Sequence, residues 1–213
     1  AELSTAIDQL TRVSNSLQRG VLNTRMVPVG PLFNRFKRSI RDITQELGKQ
    51  VHLEHEGEKT ELDKRMIDEI GDPLNHLIRN CVDHGIESAD IRIQNEKPEI
   101  ATVSLAASHR GNNVFITVQD DGSGIDINRV KQTAVARGII PQSSAAKLTD
   151  DEAAELIFQP GFSTATEISD ISGRGVGMDI VRTKIAQLNG TVEVSSKQGV
   201  GTKFIIRLPL TLT

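Results

Sequence analysis

His76-Leu-Ile-Arg-Asn80-Cys-Val-Asp83-His84 is the stretch on which the reading of this chain turns. Around it Leu74, Leu77, Ile78, Cys81 and Val82 recur at helical intervals and form an apolar body. His76, Asn80 and His84 fall at i, i+4 and i+8, so an α-helix would stack them on one ridge, with Asp83 beside it. Asn is a poor residue for a helix interior, and a polar group on a mostly buried helix must find partners. The pattern suggests a helix packed on one side that lines a polar pocket on another. An ordinary amphipathic helix with a solvated polar face also fits this stretch taken alone. Two downstream segments bear on the choice: Asp120-Asp-Gly-Ser-Gly124 and Gly173-Arg-Gly-Val-Gly177-Met178.

Outward toward the N-terminus, Asp63 is the expected cap of this helix, and Pro73 within it is expected to kink it or mark its working start. Residues 50–56 alternate and predict a strand. Residues 31–47 predict a helix with Leu32, Phe33, Phe36, Ile40, Ile43 and Leu47 inward, ended by Gly48. Arg35, Lys37, Arg38 and Arg41 on it read as a solvated face rather than an anion site. Pro28-Val-Gly-Pro31 is the best domain boundary. Before it, residues 2–25 carry apolar positions at helical spacing and polar residues elsewhere, so this helix needs a partner and belongs to a bundle or coiled coil.

Outward toward the C-terminus, Gly85 ends the central helix and residues 86–98 read as a loop. Strands are expected at 102–107 and 114–119 with a turn at 110–113, and a helix at 128–137. Residues 138–172 hold a short helix near 151–158 and few large apolar residues, which predicts a mobile lid. A helix over 176–188 and strands at 191–195 and 202–208 follow. Two hairpin-like strand pairs with interposed helices predict a two-layer α/β sandwich with a mixed, largely antiparallel sheet and an N-terminal helical arm.

Composition narrows the function. A net charge of −3 over 213 residues provides no global basic field for nucleic acid. Aromatics are 3%, with no Trp or Tyr, which leaves little to stack on bases. One cysteine excludes an internal disulfide and a cysteine-rich zinc site, and points to a reducing compartment. No apolar run spans a membrane, and the first residues do not read as a signal peptide.

The chemistry lies in the glycine segments. Asp120 follows a strand and precedes a tight turn in which Gly122 and Gly124 allow backbone to approach a ligand. A carboxylate held there can accept a hydrogen bond from an exocyclic amine such as adenine N6, though a plain Asp-Gly turn is the other reading. Gly173, Gly175 and Gly177 run straight into an apolar helix, presenting backbone N–H groups at its positive end, which is a phosphate cradle. A hinge is the alternative for that loop. Its spacing matches neither the dinucleotide nor the P-loop pattern.

Taken together, Asn80, the DxGxG after a strand and the GxGxG before a helix resemble the nucleotide-binding domain shared by gyrase B, MutL and the histidine kinases. Residues 76–87, 120–126, Phe158-Gln-Pro-Gly-Phe-Ser-Thr164 and Ser172–Asp179 narrow this to the kinase domain of the chemotaxis histidine kinase CheA, within the GHKL ATPase/kinase superfamily. Thr24–Pro28, Phe33–Phe36, Gly199–Phe204 and Leu208–Leu212 resemble the edges of the same domain, so the likeness spans essentially the whole chain.

The resemblance implies a Bergerat-type ATP site. Residues 1–28 would be the end of a helical dimerisation element and residues 29–213 the ATP-binding catalytic domain. Asp120 would take the adenine amine, with Gly122, Gly124 and Met178 bordering the base and Thr202 backing the pocket. Ser163 and Thr164 would fold over the nucleotide, and Gly173, Gly175 and Gly177 would approach the phosphates. Asn80 would bind Mg²⁺, with His84 near the metal. Arg79 and Asp83 join the ATP-binding set, Arg79 with a solvent salt bridge as its alternative. Arg174 carries the same ambiguity. His76 stands where gyrase-like relatives carry a Glu, so it would orient acceptor or phosphate rather than activate water. The implied activity is transfer of the ATP γ-phosphoryl group to a histidine of a separate phosphotransfer domain, in the cytoplasm. The alternative is a non-catalytic nucleotide-binding regulator of the same fold. The expected partners are that phosphotransfer domain, a dimer partner, and an adaptor and receptor array reached through other regions. Nucleic acid and membrane insertion are not expected. The chain reads as an excised kinase domain without its own phosphoacceptor.

Overall fold

Alternation in the strands organises the molecule. The computed structural model describes residues 2–162 and 177–210. The N-terminal arm is α1 (Glu2–Arg25), followed by β1 (Met26–Pro28) and α2 (Gly30–Leu47). Then come β2 (Val51–Glu56), β3 (Glu61–Asp63) and α3 (Lys64–Asn80), which runs into a π-helical turn, Cys81–Gly85. Next are α4 (Ala89–Gln94), β4 (Ala101–Arg110), β5 (Asn113–Asp120), α5 (Ile127–Ala136), α6 (Gln142–Ala145) and α7 (Asp150–Ala154), the last continuing as a 3-10 turn to Phe158. The chain closes with α8 (Met178–Gln187), β6 (Thr191–Lys197) and β7 (Gly201–Pro209).

Five strands form one sheet in the order β2-β4-β5-β7-β6, with β2 parallel to β4 and the other pairs antiparallel. Every second residue of the inner strands faces the helices and is buried: Val103, Leu105 and Ala107 on β4, Val114, Ile116 and Val118 on β5, Phe204, Ile206 and Leu208 on β7. These pack in one cluster with Phe33, Phe36 and Ile40 of α2, Ile70, Leu74, Leu77 and Ile78 of α3, and Val181 and Ile185 of α8. Each fully buried Leu, Ile or Phe contributes about 1.5–3 kcal/mol, so this face holds the two layers together. The expected two-layer α/β sandwich is the observed architecture.

α3 begins where its cap predicts. The Asp63 side chain accepts from the Arg65 N–H at 2.8 Å. Pro73 lies inside the helix without ending it. A two-stranded ladder, β1 with β3, ties the end of α1 to this cap, and Arg25 Nη2 lies 3.4 Å from both Asp63 oxygens.

Several expectations require correction. Residues 86–98 are not a simple loop, since α4 forms there around a buried Arg92. Leu47 is 37% exposed at the end of α2 rather than inward. The lid expected over 138–172 is anchored through residue 162. Leu156 joins Val130 and Ala134 in a second apolar cluster with Ile139, Ile140, Leu148 and Phe162 packed on it. Phe158 stacks edge-on against Phe204, and Arg182 lies over the Phe158 ring while pairing with Glu155. Residues 163–172 lie outside the described residues.

Candidate functional site

The helix-facing row of β5 runs Val114, Ile116, Val118 and then Asp120. The last position of an apolar row is thus a carboxylate, 3% exposed. Its register partners are Val103 on β4 and Thr202 on β7. Oδ1 accepts the Gly122 N–H at 2.9 Å. Oδ2 is buried and has no hydrogen-bond partner among the described residues. Burial pushes the pKa of this group above the ordinary carboxylate value, and Asp121 acts in the same direction. The Gly122 N–H, the Cys81 thiol and the Thr202 backbone oppose the shift without completing Oδ2. Burial, then the charge of Asp120, pushes the Cys81 thiol well up, so it stays protonated beside the carboxylate.

The turn after Asp120 is stitched to the end of α3. The Ser123 N–H donates to the Gly85 carbonyl at 2.8 Å. A Cβ on Gly122 would lie 2.0 Å from that same oxygen, so only glycine permits the approach. Gly124 has φ +72, and a Cβ there would lie 2.3 Å from the Lys197 carbonyl. Gly85 borders the carboxylate itself: a Cβ on it would stand 3.2 Å from Asp120 Oδ2. Behind the pair, the Thr202 hydroxyl meets Ser196 Oγ at 3.0 Å, and Ser196 Oγ accepts the Ile125 N–H at 2.8 Å.

α3 delivers the second half of the site. The expected ridge holds from His76 to Asn80, but the following turn is π-helical, with the Ile86 N–H donating to the Cys81 carbonyl at 2.9 Å. The wider turn means that residue 84 does not stack one α-turn beyond residue 80. His84 points to solvent, 60% exposed, with Nε2 3.9 Å from Asp83. Lys49 caps this turn, donating to the Val82 carbonyl at 2.8 Å and the Asp83 carbonyl at 2.6 Å. Asn80 is half-buried and its Nδ2 donates to Met178 Sδ at 2.9 Å, which joins α3 to the first residue of α8. With the nitrogen engaged, the amide oxygen is the group left for a hard cation. His76 is half-buried. Burial lowers its pKa, reinforced by Arg79 and His84, so its imidazole is neutral at neutral pH. Arg79 makes a loose 3.7 Å pair with Glu46, the salt-bridge reading of that residue.

Gly177 sits in extended backbone at the N-terminus of α8. The N–H groups of the first turn of a helix lack intrahelical acceptors, so that end favours an anion. Ser163, Thr164, Gly173, Arg174 and Gly175 lie outside the described residues. Among the described residues no cluster of three or more His, Cys, Asp or Glu side chains forms a metal cage. A single amide oxygen suits Mg²⁺, which keeps waters and takes phosphate oxygens as further ligands. No described helix is long and apolar enough to cross a membrane.

Of the residues expected at the site, Asn80 and Met178 are in contact, Gly122 and Thr202 adjoin Asp120, and Cys81 beside Asn80 borders the same carboxylate. Sequence spacing does not single out Cys81, Gly85, Ser196 or Lys49; it marks Cys81 only as helix body and Gly85 only as a helix end.

Comparison with known proteins agrees with this geometry. Residues 69–212 match the family of histidine kinase-, DNA gyrase B-, and HSP90-like ATPases. The chain is 52% identical over its full length to the chemotaxis protein CheA of Bacillus subtilis (strain 168), covering 32% of that protein. It is 49% identical over 99% of its length to the sensor histidine kinase CheAY of Helicobacter pylori (strain ATCC 700392 / 26695), covering 26% of it. It therefore spans about a third or less of these relatives. The catalytic domain of the histidine kinase ThkA shares the fold, with a TM-score of 0.51 at 18% identity over 87% of this chain and 95% of that one. The matched region takes in α3 from residue 69 onward, the Asp120 turn, α8 and all described strands from β4 onward, and the chain belongs to the histidine kinase-, DNA gyrase B-, and HSP90-like ATPase family.

Proposed function

We propose that this chain is the ATP-binding catalytic domain of a chemotaxis histidine kinase and transfers the γ-phosphoryl group of ATP to a histidine of a separate phosphotransfer domain. The observation that carries the reading is Asp120: a buried carboxylate in an apolar row, one oxygen engaged, the other without a partner among the described residues and walled by Gly85. A buried polar atom without a partner is costly, and a ligand donor such as an adenine amine offsets that cost.

In this reading Asp120 accepts from the adenine amine and Thr202 backs the base. Gly122, Gly124 and Met178 border it. The N-terminus of α8 at Gly177 attracts the phosphates, as do Gly173 and Gly175 before it, and Ser163 and Thr164 belong to the covering segment. Asn80 would hold Mg²⁺ through its amide oxygen with Asp83 and His84 nearby, and the metal would supply charge neutralisation on the phosphates. His76, neutral by burial, orients the phosphate or the incoming imidazole, which attacks with its own lone pair and needs no strong base. The rate then comes from positioning and charge neutralisation. Arg79 reaches phosphate only by leaving Glu46. The exposed Ile7, Leu10 and Val13 of α1 suit a helix that pairs in a dimer, with residues 1–28 as the end of that element. Kinase regions outside this chain would supply the adaptor and receptor contacts, in the cytoplasm.

Incubation with labelled ATP, Mg²⁺ and a separate histidine phosphotransfer domain tests the proposal. Acid-labile label on a histidine of the added domain is expected. Tight ATP binding with no transfer would instead favour the non-catalytic regulator.

A further inference from the structure

An ionic network, largely buried except for the partly exposed Asp121, lies beside the Asp120 turn. Arg92, on α4, is 1% exposed and donates in four directions. Its Nε reaches the Pro98 carbonyl at 2.7 Å, and its Nη1 reaches Glu87 at 3.1 Å and the Asp121 carbonyl at 3.2 Å. Its Nη2 reaches the Asp121 carboxylate at 3.0 Å. Lys97 Nζ donates to Glu87 at 2.7 Å, to the Asp121 carbonyl at 3.1 Å and to the Gly122 carbonyl at 2.6 Å. The second Asp121 oxygen accepts the Thr102 N–H at 2.9 Å. Two cations thus face two carboxylates; beyond them Arg92 reaches the Pro98 and Asp121 carbonyls, and Lys97 reaches the Asp121 and Gly122 carbonyls of the turn.

That placement is specific. The peptides at 121 and 122 are held by their carbonyls from behind, while the Gly122 N–H holds Asp120 Oδ1 in front. Moving the Gly122 peptide would turn the carboxylate and re-aim Oδ2. Fixing a polar turn needs far fewer charges than this, and breaking one member of a buried set leaves the rest uncompensated. A binding group performs best when its supporting partners leave it one geometry.

We propose that Lys97 and Arg92, neutralised by Glu87 and Asp121, are positioning residues that aim the Asp120 carboxylate at the exocyclic amine of the nucleobase and so set base discrimination. The proposal rests on the reading of Asp120 as the amine acceptor. The network's side chains bond the turn behind Asp120 and not the Asp120 carboxylate itself. Its effect is on selectivity between ligands that differ only at the amine.

The test compares Kd for ATP and for purine riboside triphosphate, which lacks the 6-amino group, in the parent chain and in Lys97→Met. One hydrogen bond to a charged acceptor predicts that the parent prefers ATP by about tenfold or more. Lys97→Met is expected to weaken ATP by about that factor while leaving the deamino analogue within roughly twofold, so that the preference disappears. If Lys97→Met fails to fold, Lys97→Gln, which removes the charge but keeps an amide NH2 to donate, carries the same comparison. A parent that discriminates alongside a variant that weakens both ligands equally, or neither, overturns the positioning role while sparing Asp120. A parent that binds both ligands equally overturns the reading of Asp120, and the positioning role with it.

Discussion

Replacing Asp120 by Asn separates what this carboxylate does for the ligand from what it costs the fold. The Gly122 N–H requires an acceptor, so the amide oxygen takes the Oδ1 position and the amide nitrogen is forced into that of Oδ2. An adenine amine would then meet a donor. The lost bond is one to a charged acceptor, about 1.5–3 kcal/mol, which raises Kd roughly 10- to 160-fold. The fold should respond in the opposite sense. Because burial raises the pKa of Asp120, the folded state holds its proton more tightly than the unfolded chain. Native stability therefore falls as pH rises from the unfolded carboxylate value of 3.8 through the raised folded value, and the penalty is fully present above it. The Asn variant lacks that slope and is expected to be at least as stable as the parent at pH 7. Titration calorimetry with ATP and thermal melts between pH 4 and 8 measure both. Unchanged ATP affinity would refute the amine-acceptor role. A melt that drops uniformly at every pH would refute the account of a desolvated, under-partnered carboxylate.

Asn80→Ala removes only a weak bond to sulfur from the fold, so stability should change little. Nucleotide affinity should fall about tenfold or more with Mg²⁺ and far less in EDTA; equal losses in both would make Asn80 structural. Gly122→Ala puts a methyl 2.0 Å from the Gly85 carbonyl and should cost about 1–3 kcal/mol of stability together with measurable ATP binding, read by melts and titration. A variant as stable and as tight as the parent would show that the turn is not wedged on α3. For His76, whose folded pKa is depressed, the unfolded chain binds the proton more readily. Stability is lost as pH falls through 6.5 toward the lower folded value, and His76→Gln should flatten that loss in melts across pH 5–7.5. Parallel profiles for the two chains would remove the case for a desolvated imidazole.

The parts of the site that could be read from sequence are those in which one residue type carries a local demand. Asp120 interrupts an alternating apolar row, and the glycines after it are spaced for a turn. Asn80 is conspicuous because an amide has no local reason to sit on such a helix. What escaped reading depends on contacts between distant segments. Gly85 borders the carboxylate only because the turn at 122–124 folds back on it, and the π-turn that allows this has no composition of its own. α4 inverts the usual pattern: Ile91 and Ile93 are 49% and 57% exposed while Arg92 is buried, so apolar periodicity had nothing to register. β1 and β3, at three residues each, are too short to alternate visibly. Residues 138–172 read as a lid because the anchors in their first part are small, yet Ala145, Ala153 and Ala154 are each buried.

The pairing of Asp120 with Thr202 carries a consequence for how the domain is made. β4 with β5 and β6 with β7 are hairpins of neighbouring strands that can form early from local contacts. The seam between β5 and β7 is different, because its two sides are separated by most of the second half of the chain. Closing that seam incurs a long loop-closure entropy before any pairing is gained, which makes it a slow step. Until it closes, Asp120 lacks its neighbour Thr202, which on the proposed reading backs the base. On a ribosome this order delays nucleotide capture until the last strand has emerged, so an unfinished chain would neither sequester ATP nor be stabilised by it.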